Sequence, residues 1–233
     1  MIFDLIRDIA AGADVRQVLP QIALIAICVL FALTFHECAH GFIAYKLGDP
    51  TARNLGRLTL DPVKHLDPIG TLCMLLFGFG WAKPVPVNSR YFKKPKRDMA
   101  LTAIAGPVSN LILSFFGLLL EYILIKLFPA ASLYGSFGMK IAYILILLFA
   151  YFHTLNLYLA IFNLIPIPPL DGSRLLFLFL PDRFYFGLMK YERIIMLVMM
   201  VLLWTGVLSV PISGLCSLIS SGMSFLIRLI PGL

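Results

Sequence analysis

An apolar run begins at Gln21 and continues, without a charged residue, directly into His36-Glu37-Cys38-Ala39-His40. This junction constrains the chain more than any other feature. Three ionisable side chains in a hydrophobic helix are costly to desolvate unless they pair with one another or bind a metal. On an α-helix each residue advances by about 100°, so His36 and His40 project from one face about 6 Å apart along the axis, with Glu37 beside them. Two imidazoles at that spacing can each give a nitrogen to one Zn²⁺ ion at about 2.0–2.1 Å, and the carboxylate can take a proton from the metal's bound water. H-E-x-x-H also arises by accident on soluble helices, but the sequence leading into it here is not that of a soluble helix.

The whole chain shares this character. Of its 233 residues 60% are hydrophobic and 13% charged, with a mean hydropathy of +0.93. A soluble domain has about a quarter of its residues charged. The net charge of +7 sits in short loops beside apolar stretches, which fits the positive-inside bias of a protein in a lipid bilayer and not a nucleic-acid partner. Asp4, Asp8 and Asp14 argue against a removable signal peptide, and residues 1–18 are expected to form an interfacial segment. Cys28, Cys38, Cys73 and Cys216 lie in apolar segments with no C-x-x-C spacing and read as packing residues; Cys38 points aside from the face shared by the two histidines.

Crossing the hydrocarbon core takes about 20 helical residues. Residues 19–47, 99–128, 138–164 and 194–210 qualify, and the apolar tail 211–233, broken by Pro211, Gly214 and Gly222, reads as a further span or an in-plane helix. The expected fold is an all-α polytopic membrane protein forming one domain, 1–233, with about four to five transmembrane helices. Between the first two spans, residues 49–98 form a re-entrant and cytoplasmic loop. Its apolar core, 69–82, is interrupted by Gly70, Gly78 and Gly80 and as a helix would reach only about 21 Å. If it crossed, the basic groups before it (Lys46, Arg53, Arg57, Lys64) and after it (Arg90, Lys93, Lys94, Lys96, Arg97) would fall on opposite sides, against the charge rule. A partly extended excursion that returns keeps both on the cytoplasmic side, with an external amino terminus and His36 about 25 Å into a core about 30 Å thick.

A third ligand must reach that depth. Asp49, Asp61 and Asp67 sit in turn-like sequence, where aspartate bonds nearby backbone N–H groups. Asp171 differs, because it follows a long apolar helix that Pro166, Pro168 and Pro169 prevent from continuing. Backbone broken at membrane depth is tolerated where it lines a protein-enclosed cavity. Asp171 is therefore the expected third zinc ligand; the competing reading is a cap on the next helix. Asn163 either donates to an oxyanion on a polarised carbonyl or satisfies spare carbonyls at a helix end. His65 and His153 read as structural, the latter through an interhelical bond. In Trp81 to Asn88, Pro84 and Pro86 remove donors from one edge and leave the other able to pair. That edge either holds a substrate as an added strand or is part of a proline-blocked edge that prevents aggregation.

Taken together, H-E-C-A-H (His36 to His40), G-R-L-T-L-D-P (Gly56 to Pro62), H-L-D-P-I-G (His65 to Gly70), W-A-K-P-V-P-V-N (Trp81 to Asn88), A-G-P-V-S-N (Ala105 to Asn110) and N-L-I-P-I-P-P-L-D-G (Asn163 to Gly172) closely resemble the site-2 protease family of intramembrane zinc metalloproteases. The match is to its short prokaryotic type without PDZ or CBS domains. The resemblance implies His36, His40 and Asp171 as ligands of one Zn²⁺ ion, Glu37 as catalytic base, Asn163 as a transition-state or substrate contact, and Asn110 near the site in support. It also implies hydrolysis of transmembrane protein or peptide substrates by attack of zinc-bound water, in a multi-pass protein of the prokaryotic cell membrane whose site faces the cytoplasm. A membrane metal transporter and a catalytically silent binder of membrane helices are the alternatives; neither predicts a base beside a three-ligand cluster.

Overall fold

The computed structural model describes residues 15–70, 73, 82–129, 131, 135–176 and 178–231. Residues 1–14 of the expected interfacial segment and most of the re-entrant stretch 69–82, Trp81 included, lie outside those residues, while 15–18 form the start of the first helix. Among the described residues the regular structure is helical, apart from one isolated antiparallel bridge between Leu66 and Ala82. In chain order the α-helices are α1 (Val15–Lys46), α2 (Thr51–Asn54), α3 (Pro95–Leu127), α4 (Phe137–Asn163), α5 (Gly172–Leu176), α6 (Asp182–Met189), α7 (Glu192–Trp204) and α8 (Ser209–Arg228).

Among the described residues four helices are long and apolar enough to cross a membrane: Val18–Lys46 within α1, then α3, α4 and α8. The first three occupy the expected stretches. The fourth falls on the tail expected as a further span or an in-plane helix, whereas the stretch 194–210 does not form a span of its own. The chain expected to span at 194–210 divides between α7, only 13 residues long, and the start of α8. Gly206 adopts a positive φ of 75°, a conformation glycine takes without steric cost, and it turns the chain there. Pro211 does not break the tail, because it falls in the first turn of α8, where a missing N–H breaks no intrahelical bond. Gly214 and Gly222 inside that helix cost about 1 kcal/mol each relative to alanine. A helix of 20 residues that is apolar enough on average to cross a membrane tolerates them.

α1, α3 and α4 form the core, with α3 antiparallel to both neighbours. Apolar contact alone drives little association between helices in lipid, so close approach of small residues and interhelical hydrogen bonds carry it. Ala32 and Ala44 of α1, Ala100 and Ala103 of α3, and Ala142 and Ala160 of α4 are buried, while Phe31, Ile112, Phe116 and Ile144 are turned outward. Gly117 of α3 meets α4 backbone to backbone; a Cβ there would lie 3.0 Å from the nitrogen of His153. His153 makes the expected interhelical bonds. Its Nδ1 donates to the Ser114 carbonyl of α3 (3.0 Å) and its Nε2 faces the Ser220 hydroxyl of α8 (3.0 Å).

α1 ends in a Schellman cap. Gly48 has a φ of 107°, its N–H donates to the Tyr45 carbonyl at 3.1 Å, and the Asp49 N–H donates to the Ala44 carbonyl at 2.9 Å. The cap turns the chain sharply and carries Asp49 back into the protein.

Candidate active site

His36 and His40 lie one helical turn apart on the buried face of α1. Their rings are 4.6 Å apart between centroids and nearly perpendicular, at 87°. α3 passes directly beside them at Gly106. A Cβ built there would stand 2.4 Å from His40 Nε2 and 2.6 Å from His36 Cε1. No side chain fits in that space, so the close approach of α3 depends on glycine.

Each imidazole is oriented through its Nδ1. His36 Nδ1 donates to Asn110 Oδ1 at 2.5 Å, and His40 Nδ1 donates to the Thr102 carbonyl at 2.7 Å. Asn110 is itself fixed, its amide donating to the Ala32 carbonyl (3.1 Å) and to Asn156 Oδ1 (2.7 Å). The Asn156 amide in turn donates to the Phe152 carbonyl at 2.8 Å. The protons therefore reside on Nδ1, and both Nε2 atoms present lone pairs. Hydrogen bonding of the outer ring nitrogen is the usual means by which metal-binding histidines are held in the ligating tautomer.

Both lone pairs face Asp171. Its Oδ2 lies 3.0 Å from His36 Nε2 and 3.1 Å from His40 Nε2. The loop that follows α4 brings it there. The chain after Asn163 doubles back until Gly172 rests on the end of α4, where a Cβ would be 2.3 Å from the Leu164 carbonyl oxygen. The next turn is closed by the Ser173 hydroxyl and amide, which both donate to the Leu170 carbonyl at 2.7 and 3.0 Å.

Two imine lone pairs and an anionic oxygen converging at 3.0 and 3.1 Å repel one another unless a cation lies between them. The three donors all lie within 4.8 Å of one another and could hold a metal ion. Around a tetrahedral Zn²⁺ with bonds near 2.05 Å, ligand atoms stand about 3.3 Å apart, so this donor set fits zinc with little adjustment. Cys38 is not part of the cluster.

Glu37 is half-buried beside the cluster, and its Oε2 accepts a hydrogen bond from the Val85 N–H at 2.8 Å. That bond changes the reading of segment 82–88. The edge expected to remain open to a substrate strand is already occupied, by Val85 N–H on Glu37 and by Lys83 N–H on the His65 carbonyl at 2.8 Å. The opposite edge carries Pro84 and Pro86, which have no N–H to offer. Asn163 is not drawn to the cluster; its amide donates to the Leu159 carbonyl of its own helix at 3.0 Å. Asp49, Asp61 and Asp67 cap turns as expected, accepting from the N–H groups of Thr51, Val63 and Gly70. His65 donates from Nε2 to the Thr59 carbonyl at 2.8 Å. Asn156 is not among the candidates named from sequence. Its signal there is an amide in the middle of an apolar span, a costly residue unless it has work to do.

A bundle of membrane-length helices that aims two oriented imidazoles and one carboxylate at a single point, with a glutamate alongside, is that of a multi-pass membrane metalloprotease. The chain belongs to peptidase family M50, whose model matches residues 24–206. It is 47% identical over 156 residues to a Bacillus subtilis protein named "Putative zinc metalloprotease YwhC", covering 65% of this chain and 67% of that one. It is 28% identical over 172 residues to "Putative zinc metalloprotease Rip2" of Mycolicibacterium smegmatis, covering 69% of this chain and 60% of that one. A protein of Methanocaldococcus jannaschii, "Putative zinc metalloprotease MJ0611", is 32% identical over 145 residues, covering 61% of this chain and 63% of that one. The chain thus spans roughly two thirds or less of the length of each of these relatives. No solved structure matches it significantly.

Proposed function

We propose that this chain is an intramembrane zinc endopeptidase that hydrolyses peptide bonds of membrane-embedded substrates, with His36, His40 and Asp171 as the ligands of one Zn²⁺ ion and Glu37 as general base. The observation that carries this reading is the convergence of the two Nε2 atoms on Asp171 Oδ2, with both Nδ1 protons committed elsewhere. Bound there, zinc supplies Lewis acidity, bringing the pKa of a water molecule toward about 7 and polarising the scissile carbonyl.

The chain's own residues do the rest. Glu37 accepts the proton of the attacking water and returns it to the leaving amine, which becomes the new amino terminus. Its Oε2 accepts the Val85 N–H, and a carboxylate has further lone pairs to take up that proton. Asn110, Asn156 and Thr102 hold the imidazoles so that no reorientation is needed on binding. The buried face of α1 keeps lipid away from the ionised groups. Asn163 is retained as a substrate contact, which requires its amide to leave the Leu159 carbonyl when a peptide is present. The site opens to the cytoplasm of a prokaryotic cell by the charge rule, within one domain, 1–233.

The test compares Glu37→Gln with His36→Ala in full-length protein reconstituted into proteoliposomes. Glu37→Gln retains about one zinc per chain and loses cleavage by at least 10³-fold, while His36→Ala loses zinc and cleavage together. Membrane proteomes of cells carrying wild type or Glu37→Gln then reveal substrates as fragments formed only with the former. Wild-type cleavage by zinc-loaded Glu37→Gln refutes the assignment.

A further inference from the structure

Asp49 is completely buried, with 0% of its surface exposed. A turn-forming aspartate has no need of such burial, and an ionised carboxylate taken from water must be compensated by hydrogen bonds. Its Oδ1 accepts from the Thr51 amide at 2.9 Å and from the Thr51 hydroxyl. Those bonds form the turn. Its Oδ2 reaches a different part of the chain, accepting from the Asn88 N–H at 2.6 Å.

Asn88 ends the segment whose Val85 N–H is bonded to Glu37. α1 therefore holds this segment at two points three residues apart in sequence, through Glu37 itself and through the aspartate that follows its own cap. Between those points the segment has little freedom. Pro84 and Pro86 flank Val85 and fix their φ near −65°. The Val85 side chain is buried at 7% exposure against Gly41, where a Cβ would come within 3.1 Å of Val85 Cγ1. Arg57 donates to the carbonyls of Lys83 (2.7 Å) and Pro84 (3.3 Å). A displacement at residue 88 is thus transmitted to residue 85.

Glutamate has three side-chain torsions, and ordering such a side chain costs conformational entropy. Its N–H partner, charge-assisted and on a stiff backbone, selects one arrangement. We propose that Asp49 is a positioning residue for Glu37: by fixing Asn88 it sets where the Val85 amide stands, and that amide holds the base carboxylate in place. The inference rests on the reading of Glu37 as general base and adds to it the device that orients the base.

Two variants break the same bond from its opposite ends. Asp49→Asn puts an amide or a weaker neutral acceptor opposite the Asn88 N–H, and Asn88→Pro removes that N–H. Asn88→Ala retains it. The full-length chain is reconstituted in proteoliposomes with a leucine–alanine transmembrane peptide carrying a central asparagine–glycine break. Misplacing a catalytic group by about 1 Å costs about 10²-fold in rate, so kcat is expected to fall about 10²-fold in Asp49→Asn and Asn88→Pro, with KM changed less than about twofold. Zinc content stays at the wild-type level in both. Asn88→Ala restores kcat to within about threefold of wild type, because the N–H is back. Asp61→Asn, a surface turn variant, leaves every readout unchanged. Independently of activity, exchange of the Val85 amide hydrogen accelerates about tenfold or more in Asp49→Asn and in Glu37→Ala.

Wild-type kcat in zinc-loaded Asp49→Asn or Asn88→Pro overturns the proposal. So does loss of zinc or of folding in both, which would make Asp49 a support of the fold and not of the base. Glu37→Gln run in parallel separates the two levels. If it is inactive while Asp49→Asn is fully active, only the positioning role fails; if it is active, the assignment of the base fails.

Discussion

Asn110 Oδ1 and His36 Nδ1 stand 2.5 Å apart, joining α3 to the first histidine of the cluster on α1 through a residue that also bonds α4. One amide side chain thus couples the packing of three helices to the direction of one lone pair. Helix packing and the geometry of the cluster are linked at this point.

Asn110→Leu is expected to lower zinc affinity or activity by about 10–100-fold, the usual effect of removing a partner that orients a metal-binding histidine. Asn156→Leu, one bond further out, should cost less in zinc and a comparable amount in stability, because it leaves the Asn110 amide one acceptor short. Zinc titration and thermal unfolding of both variants read the two effects separately. Equal zinc affinity in Asn110→Leu and wild type would contradict the role given to that amide.

Gly106→Ala places a methyl 2.4 Å from His40 Nε2. The helix must back away or the ring must turn, and either removes a donor from the cluster. Zinc affinity should fall at least about tenfold while far-UV circular dichroism remains that of a folded helical protein. A Gly106→Ala protein that binds zinc as wild type does would show that α3 has room to yield.

Gly172→Ala tests the loop that delivers Asp171. A Cβ 2.3 Å from the Leu164 carbonyl oxygen forces the turn open, and backbone atoms do not give way as a flexible side chain would. The expected result resembles Asp171→Ala: loss of stoichiometric zinc and of cleavage. The measurement is metal content per chain after dialysis.

His153→Leu separates structural polarity from the site. The histidine ties α3, α4 and α8 through Ser114 and Ser220, and it makes no bond to the cluster. Interhelical bonds of this kind contribute about 0.6 kcal/mol on average and up to about 1.7. The variant should be that much less stable in detergent and should retain zinc and kcat.

Chelation gives the remaining prediction. A zinc chelator should abolish cleavage, added Zn²⁺ should restore it, and the affinity should weaken in acid, since each ligating nitrogen must be free of its proton. Cleavage that survives exhaustive chelation would remove zinc from the reaction.

Much of this protein is legible in its sequence, for reasons of periodicity and solvation. His36, Glu37 and His40 share a helical face because of their spacing alone, and their setting in an uncharged apolar run announces both a membrane helix and a functional cluster. Asp171 is legible because three prolines end the helix before it. The boundary of the last long helix is not: Ile194 to Arg228 is apolar throughout on average, and hydropathy cannot say that Gly206 turns while Pro211 begins a helix. Nor does the motif Gly106-Pro107 declare that its glycine is there to admit two imidazoles. What only the tertiary structure decided is which groups meet across distance. That Asp49 holds Asn88, that Val85 bonds Glu37, and that Asn156 steadies Asn110 depend on helices packed side by side. Helical and apolar patterns are properties of neighbours along the chain, whereas a hydrogen bond between residues 39 or 46 positions apart exists only once packing has brought them together.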